Sequence, residues 1–279
     1  MRTVRAVIGT LLGVVSLVAG LAYLPAVWLH ENLVTSAGFN QVVQPLSQDP
    51  AIHEDLSESA VAEISSALNL PSFMEQEVST LVTDGVSRAA DTPEYQAVWN
   101  QTMQDMHTDM VAGTTARIRP NFAPVLDGIV KPLEDFAGLD IPTPPTIQPT
   151  VATFDASFMT KVQALTENRQ WLLVAAIAGF VLMLVINPAR GTSLFLYGLM
   201  AALASAGLWA VVMNLPILQP ASITNRPFLG PIVTAFEEKA AVDIMPAFYG
   251  GLGLGVVLMI LGIVVGLVTR SARRPRGAY

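Results

Sequence analysis

Four long apolar segments without a charged side chain constrain this chain more than any other feature. They are residues 6–29, 171–187, 193–213 and 244–269. A helix needs about 20 mainly apolar residues to cross a bilayer, and each segment reaches or approaches that length. Charged residues make up 13% of the chain, against about 25% in ordinary soluble domains. The sequence therefore predicts four transmembrane helices.

Arginine placement predicts how these helices are oriented. Residues 30–170 carry 19 acidic and 6 basic side chains. The opposite side has seven arginines and no acid, at Arg2, Arg5, Arg190, Arg270, Arg273, Arg274 and Arg276. Because cytoplasmic loops are enriched in Lys and Arg, we expect a cell-membrane protein with both termini in the cytoplasm and residues 30–170 outside. The alternative is that the first span is a cleaved signal peptide, although its apolar run is longer than such segments usually are.

The polar segments complete the expected layout. The inner segments are residues 1–5, a turn at 188–192 and a basic tail at 270–279. The outer segments are an acidic helical domain at 30–140, a proline-rich linker at 141–152, a helical stalk at 153–170 and a loop at 214–243. Asp49-Pro50 and Thr92-Pro93 have the form of helix starts, and no clear two-residue alternation indicates strands. The expected fold is all-α, with four transmembrane helices and a mainly helical extracytoplasmic domain between helices one and two.

Three sequence features resemble a group of four-pass integral membrane proteins found in actinobacteria. They are the Phe39-x-x-Val42-Val43-x-Pro45-Leu46 stretch that runs on to Asp49-Pro50, the Ile141-Pro142-x-Pro144 linker and the Arg190-Gly-Thr-Ser-Leu turn. The resemblance implies the same topology, with a large extracytoplasmic insert, and no particular activity. The group is usually more basic in the second turn, where this chain has Arg190 alone.

Few residues in the sequence are candidates for chemistry. The chain has no cysteine, which excludes thiol catalysis and cysteine metal clusters. Nucleophile and phosphate-binding signatures such as G-x-S-x-G and the P-loop are missing. Asp105 and Asp109 share a helix face, but His107 lies about 200° from Asp105 around the helix, which is poor geometry for a metal. We expect no enzyme activity, no cofactor and no metal, and the acidic domain disfavours nucleic acid.

Small residues recur on one face of three spans. The faces comprise Gly9, Gly13, Ser16 and Gly20 in the first span, Gly198, Ala202 and Ser205 in the third, and Gly251, Gly255, Gly262 and Gly266 in the fourth. Such faces let helix backbones approach closely in lipid. They predict packing within the bundle, with the first and fourth spans as neighbours; the alternative is that one face binds a partner or a second copy.

Three functional hypotheses follow from these patterns. The first is a non-enzymatic envelope protein, an accessory or scaffolding subunit that contacts membrane lipids and a membrane or periplasmic protein partner, or itself. Its candidate partner surface is a helix stripe that is alternatively core, made of Tyr95, Trp99, Met103, Met106 and Met110. The second is a lipid or small-molecule carrier, with an outer cavity lined by residues such as Leu56, Ile64, Val78 and Leu81. The third is an enzyme that uses carboxylates or a metal at Asp105, His107 and Asp109.

Overall fold

A computed structural model describes residues 2–68, 72–121, 150–214 and 228–271, which are mainly helical. The chain begins with α1 (Arg2–Leu29), a π-helical turn (His30–Val34), α2 (Ser36–Val43), a 3-10 helix (Gln44–Gln48), α3 (Pro50–Leu68), α4 (Ser72–Ala89) and α5 (Pro93–Val111). There follow β1 (Thr115–Ile118), β2 (Ala152–Asp155), α6 (Phe158–Glu167), α7 (Arg169–Ile186), α8 (Arg190–Asn214) and α9 (Leu229–Ser271). The predicted helix starts at Pro50 and Pro93 are confirmed.

Four helices have the length and composition needed to cross a membrane, as the sequence predicted. The apolar stretches are Thr3–Val34, Arg169–Ile186, Arg190–Ala210 and Leu229–Thr269. They indicate a multi-pass membrane protein. Many of their large apolar side chains are exposed, among them Leu11 and Val185 at 60% and Leu203 and Val268 at 63%. In water, these side chains would form an exposed apolar patch far larger than those of soluble proteins. In a bilayer, lipid would cover the patch.

The described chain divides into two compact units. The membrane unit contains residues 2–30, 164–214 and 238–271, and the helical unit contains 31–68, 72–121, 150–163 and 228–237. In the membrane unit, α1 packs along α7, and α8 contacts both. The Ser16 hydroxyl donates a hydrogen bond to the carbonyl oxygen of Ala176 over 2.5 Å and shares another with the Tyr197 hydroxyl. These bonds satisfy polar groups that lipid cannot satisfy.

Aromatic and methionine side chains fill the core of the helical unit. Its fully buried side chains include Phe39, Val43, Ile52, Leu56, Val82, Met103, Met106, Ile118, Met159 and Phe228. The Trp99 indole is 3% exposed and donates a hydrogen bond to the carbonyl oxygen of Val43 over 3.1 Å. This bond ties α5 to the end of α2 while satisfying the one polar atom of a large buried ring.

Two features differ from the expected layout. Residues 115–118 and 152–155 form a two-stranded antiparallel sheet in which Ala116 opposes Phe154, so the predicted stalk starts as a strand and its helix begins at Phe158. Asp155 accepts hydrogen bonds from the Ser157 backbone N–H and hydroxyl, which turns the chain into that helix. The predicted loop at 214–243 is helical from Leu229 onward, continuous with the fourth span. Residues 141–149 of the linker lie outside the described residues.

Candidate functional site

A groove of about 740 Å³ runs along the exposed side of α5 in the helical unit. We call it the acid–base groove. One wall is an α5 face that includes Glu94, Gln101, Asp105 and Asp109, and the other includes Arg117, Arg119 and Asn121 of β1 and the residues after it. The volume falls within the range of about 300–1,000 Å³ that is usual for ligand sites.

Local sequence signals place these two walls side by side. The Thr92 hydroxyl accepts a hydrogen bond from the Tyr95 backbone N–H and starts α5 with Pro93 in its first turn. Gly113 follows the end of α5 with a φ of +68°, a conformation that glycine adopts without the cost other residues incur. The chain then reverses, so that β1 packs back against α5.

Charges of both signs face the acid–base groove. Arg117 and Arg119 are exposed, and neither forms an ion pair within the part of the chain that the structure describes. Asp105 accepts a hydrogen bond from the Gln101 side-chain amide over 2.8 Å. The groove therefore presents two guanidinium groups on one wall and carboxylates on the other, and no salt bridge between described residues joins the two walls.

His107 does not join Asp105 and Asp109, in agreement with the helix geometry. Its ring is 7% exposed, and its Nε2 lies 3.1 Å from the carbonyl oxygen of Leu33. The ring also packs against Phe39, with centroids 4.7 Å apart. Burial lowers the pKa of His107, while its backbone hydrogen bonds to Leu33 and Val34 act in the opposite direction. Among the described residues, no three His, Cys, Asp or Glu side chains are grouped so that they could hold a metal ion.

The stripe considered as a partner surface is core in the structure. Its exposed fractions are 2% for Tyr95, 3% for Trp99, 1% for Met103, 2% for Met106 and 4% for Met110. The α5 face that lines the groove is instead the polar one. A helix stripe predicts that a face is buried, but only the packing of α2 and the 3-10 helix against α5 shows that it is buried within this chain.

The small-residue face of the first span contacts the second span. A methyl group on Gly9 would lie 3.1 Å from the Asn187 side chain, and one on Gly13 would lie 2.6 Å from the Met183 sulfur. The Ser16 hydroxyl donates its hydrogen bond to the Ala176 carbonyl oxygen, and a methyl group on Gly20 would lie 3.8 Å from the Ala176 side chain. All four residues of this face therefore lie against the second span.

The faces of the third and fourth spans contact each other. A methyl group on Gly255 would lie 2.9 Å from Ala202, and one on Gly251 would collide with the Ser205 hydroxyl. Gly262 and Gly266 lie against Gly191, where a methyl group would be 2.8 Å or less from backbone atoms of both. The small-residue faces therefore join the first span to the second and the third to the fourth. The first and fourth helices, expected as neighbours, are linked elsewhere: the Trp28 indole of α1 donates a hydrogen bond to the Asp243 carboxylate of α9 over 3.0 Å.

Side chains that the sequence analysis assigned to a loop belong to the helical core. Phe228 is fully buried, and Leu229, Ile232 and Phe236 are 4–5% exposed. The Phe228 ring packs against Trp99, with centroids 5.8 Å apart, and its backbone N–H donates to the Asp55 carboxylate. The i, i+3, i+7 spacing of Leu229, Ile232 and Phe236 in the sequence is typical of one face of an amphipathic helix and could have indicated this one.

The core near Leu56 contains little free space. A cavity of about 10 Å³ lies among residues that include Leu56, Tyr95, Trp99 and Phe228, which is about the room of one water molecule. The side chains of Ile64, Val78 and Leu81, the other residues of the hypothesised carrier cavity, lie outside the described residues.

Comparisons with protein-family models, with curated proteins and with solved structures find no match for this chain.

Proposed function

We propose that this chain is a non-enzymatic integral membrane protein of the bacterial cell envelope, in which the helical unit lies outside the cell and binds a protein partner or an envelope component. Its role is that of an accessory or scaffolding subunit. The observation that carries the proposal is the acid–base groove, because it presents charges of both signs on a helix and a strand, without ion pairs between them in the described part of the chain.

The packing and composition of the membrane unit support this proposal. Its small-residue faces are occupied by neighbouring spans of the same chain, which leaves the groove as the stronger candidate for recognition. The apolar spans carry no Asp, Glu, Lys or Arg between residues 6–29, 171–187, 193–213 and 244–269, whereas ion and proton pathways usually contain such residues.

The partner is tested by site-specific photocrosslinking in native membranes. Benzoylphenylalanine replaces Gln101 in the groove in one variant and Arg88, an exposed residue of α4, in the control. We expect a discrete crosslinked species from position 101 and none from position 88. A chain that isolates alone in mild detergent, with no adduct from either position, contradicts the proposal.

The orientation is tested with single cysteines, since the chain has none of its own. Asp91→Cys is placed in the helical unit and Ala189→Cys in the turn between α7 and α8. On intact cells, a membrane-impermeant maleimide is expected to label position 91 at once and position 189 only after lysis. If position 189 is labelled on intact cells and position 91 only after lysis, the orientation inferred from the arginines is wrong.

Lipid or small-molecule binding is the second candidate function. A half-open cavity of about 240 Å³ lies between α1, α7 and α8, lined by residues that include Thr10, Gly13, Met183 and Tyr197. Native mass spectrometry of the purified chain tests it. A retained lipid that is lost in Thr10→Leu, which reduces this space, supports the carrier; no retained lipid in the wild type rejects it.

A further inference from the structure

The first strand of the small sheet has a free edge in the described part of the chain. The sheet has two strands, β1 and β2. The carbonyl oxygens of Thr114 and Ile118 accept hydrogen bonds from Ala156 and Val151, respectively, each over 2.9 Å. Because backbone groups alternate between the two edges of a strand, those of Thr115 and Arg117 are directed away from β2. An unpaired edge of this kind is a template for another strand.

The charged side chains that line the acid–base groove repeat at the spacing of an extended peptide. Arg117 and Arg119 are two residues apart in extended chain, which corresponds to roughly 6.6 Å. Asp105 and Asp109 are four residues apart on α5, which corresponds to roughly 6 Å. In an extended peptide, alternate side chains lie on the same face and are also roughly 6.6 Å apart. In a strand bound along the groove, the side chains of every second residue would therefore face the arginines. The side chains of the intervening residues would face the carboxylates.

We propose that the acid–base groove binds an extended segment of a partner protein as a third strand beside β1. The segment carries acidic side chains toward Arg117 and Arg119 and basic side chains, at the intervening positions, toward Asp105 and Asp109. This mode of recognition takes affinity from backbone hydrogen bonds and specificity from alternate side chains. The inference rests on the proposed function and specifies the ligand of the same groove.

The mixed charge of the groove argues against other ligands. A polyanion such as nucleic acid or an anionic lipid surface would meet Glu94, Asp105 and Asp109, which repel it. A uniformly basic segment would meet Arg117 and Arg119. A ligand that carries acidic and basic side chains in alternation matches both walls. Such charge complementarity contributes more to the choice of partner than to affinity.

The test uses the full chain in lipid nanodiscs and two capped hexapeptides of equal composition. One is Ac-Glu-Lys-Glu-Lys-Glu-Lys-NH2 and the other is Ac-Glu-Glu-Glu-Lys-Lys-Lys-NH2, each with the same fluorescent label for anisotropy at low salt. An extended hexapeptide is roughly 20 Å long, similar to residues 115–121. We expect the alternating peptide to bind about fivefold more tightly than the block peptide, or better. A fivefold ratio corresponds to a difference of about 1 kcal/mol in binding free energy. Equal affinities would overturn the proposal, because composition and not alternation would then govern binding.

Charge reversal supplies the second arm of the test. The pair Arg117→Glu and Arg119→Glu and the pair Asp105→Lys and Asp109→Lys are each expected to weaken binding of the alternating peptide about fivefold or more. Combining all four changes is expected to restore it, since the peptide then fits after a shift of one residue. Arg88→Glu with Asp91→Lys, outside the groove, leaves the net charge unchanged as the variant with all four changes does; it is the control for that variant and should not alter binding. Near-ultraviolet circular dichroism, which sums over the aromatic side chains of the protein, shows whether each variant keeps the wild-type fold.

The neutral pair Arg117→Gln and Arg119→Gln replaces the reversed pair if the latter fails to fold. Folded variants that bind the alternating peptide as tightly as the wild type would overturn the proposal. Its failure is distinguishable from that of the proposed function. If the peptide does not bind but position 101 still crosslinks to a partner, the strand model alone is wrong; if position 101 captures nothing from native membranes, the proposed function is wrong.

Discussion

The backbones of Gly198 and Gly255 are in direct contact. A methyl group on Gly198 would lie 2.5 Å from the carbonyl oxygen of Gly255, and one on Gly255 would lie 2.7 Å from the carbonyl oxygen of Gly198. A backbone cannot move aside as a flexible side chain can. The hydrophobic effect does not drive association between helices in lipid, so van der Waals contact at close approach takes its place. The packing of α8 against α9 therefore depends on these glycines.

Replacement of Gly255 by isoleucine is therefore expected to destabilise the membrane unit by about 1–3 kcal/mol, the usual cost of overpacking. Gly253 is the matched control, because a methyl group there would meet no atom within 4 Å. The measurement is the thermal unfolding midpoint of each variant in the same detergent. Equal midpoints for Gly255→Ile and Gly253→Ile would show that α8 and α9 do not pack through this face.

Replacement of Phe228 by alanine is expected to destabilise the helical unit by about 3–5 kcal/mol, as for other buried aromatic residues. Phe228 is fully buried against Trp99, so its removal leaves a cavity. The control is Phe158→Ala, because Phe158 is 41% exposed. The change is measured by tryptophan fluorescence during denaturation, in a background in which Trp28, Trp171 and Trp209 are replaced by Phe so that Trp99 alone is observed. A loss no greater than that of Phe158→Ala would place residue 228 outside the core.

Tyr95→Phe is expected to stabilise the helical unit by about 1 kcal/mol, because an unsatisfied buried polar group is costly. The Tyr95 hydroxyl is buried and has no hydrogen-bond partner within the described residues. Desolvation by burial raises the pKa of Tyr95 above its ordinary value of 10.0. The folded state therefore keeps a proton that the unfolded chain loses, and stability falls as the pH rises above about 10.

Unfolding midpoints at pH 8 and pH 11 check both expectations for Tyr95. The Phe variant should be the more stable at pH 8 and should lose less stability at pH 11. A Tyr95→Phe variant that is less stable than the wild type would show that the hydroxyl has a bonding role.

His107→Gln is expected to reduce the loss of stability on acidification. Because burial lowers the folded-state pKa of His107 below 6.5, the unfolded chain binds a proton first as the pH falls. Stability is then fully present above about pH 6.5 and decreases below it. Unfolding midpoints measured from pH 7.5 to 5 check this. A Gln variant with the same acid sensitivity as the wild type would assign the effect to other groups.

Local signals in the sequence were sufficient where a structural feature depends on neighbouring residues. Thr92-Pro93 starts α5 because a side-chain cap and a fixed proline φ act within one turn. The four apolar stretches indicate membrane helices because the length of an uncharged run is itself the physical requirement. The stripe from Tyr95 to Met110 likewise showed one apolar helix face, without showing what covers it.

The acid–base groove could not be predicted from the same signals. Its arginine wall depends on β1, and four residues with Ala116 and Ile118 buried give too short an alternation to recognise. The strand forms because β2, distant in the sequence, supplies its hydrogen-bond partners. The sequence singled out Asp105 and Asp109 on one helix face, but Arg117 and Arg119 had no reason to be connected with them until the chain reversed after Gly113.

What this sequence determined by itself is the set of membrane-length helices, the helical character of the rest and the starts of α3 and α5, since uncharged runs and helix caps act over a few adjacent residues. Only the tertiary structure decided that Phe228 enters the core beside Trp99, that Gly198 faces Gly255, and that Arg117 lies across a groove from the carboxylates of α5. Each of these depends on steric fit and hydrogen bonding between segments far apart in the chain, and periodicity within one segment carries no information about which other segment will meet it.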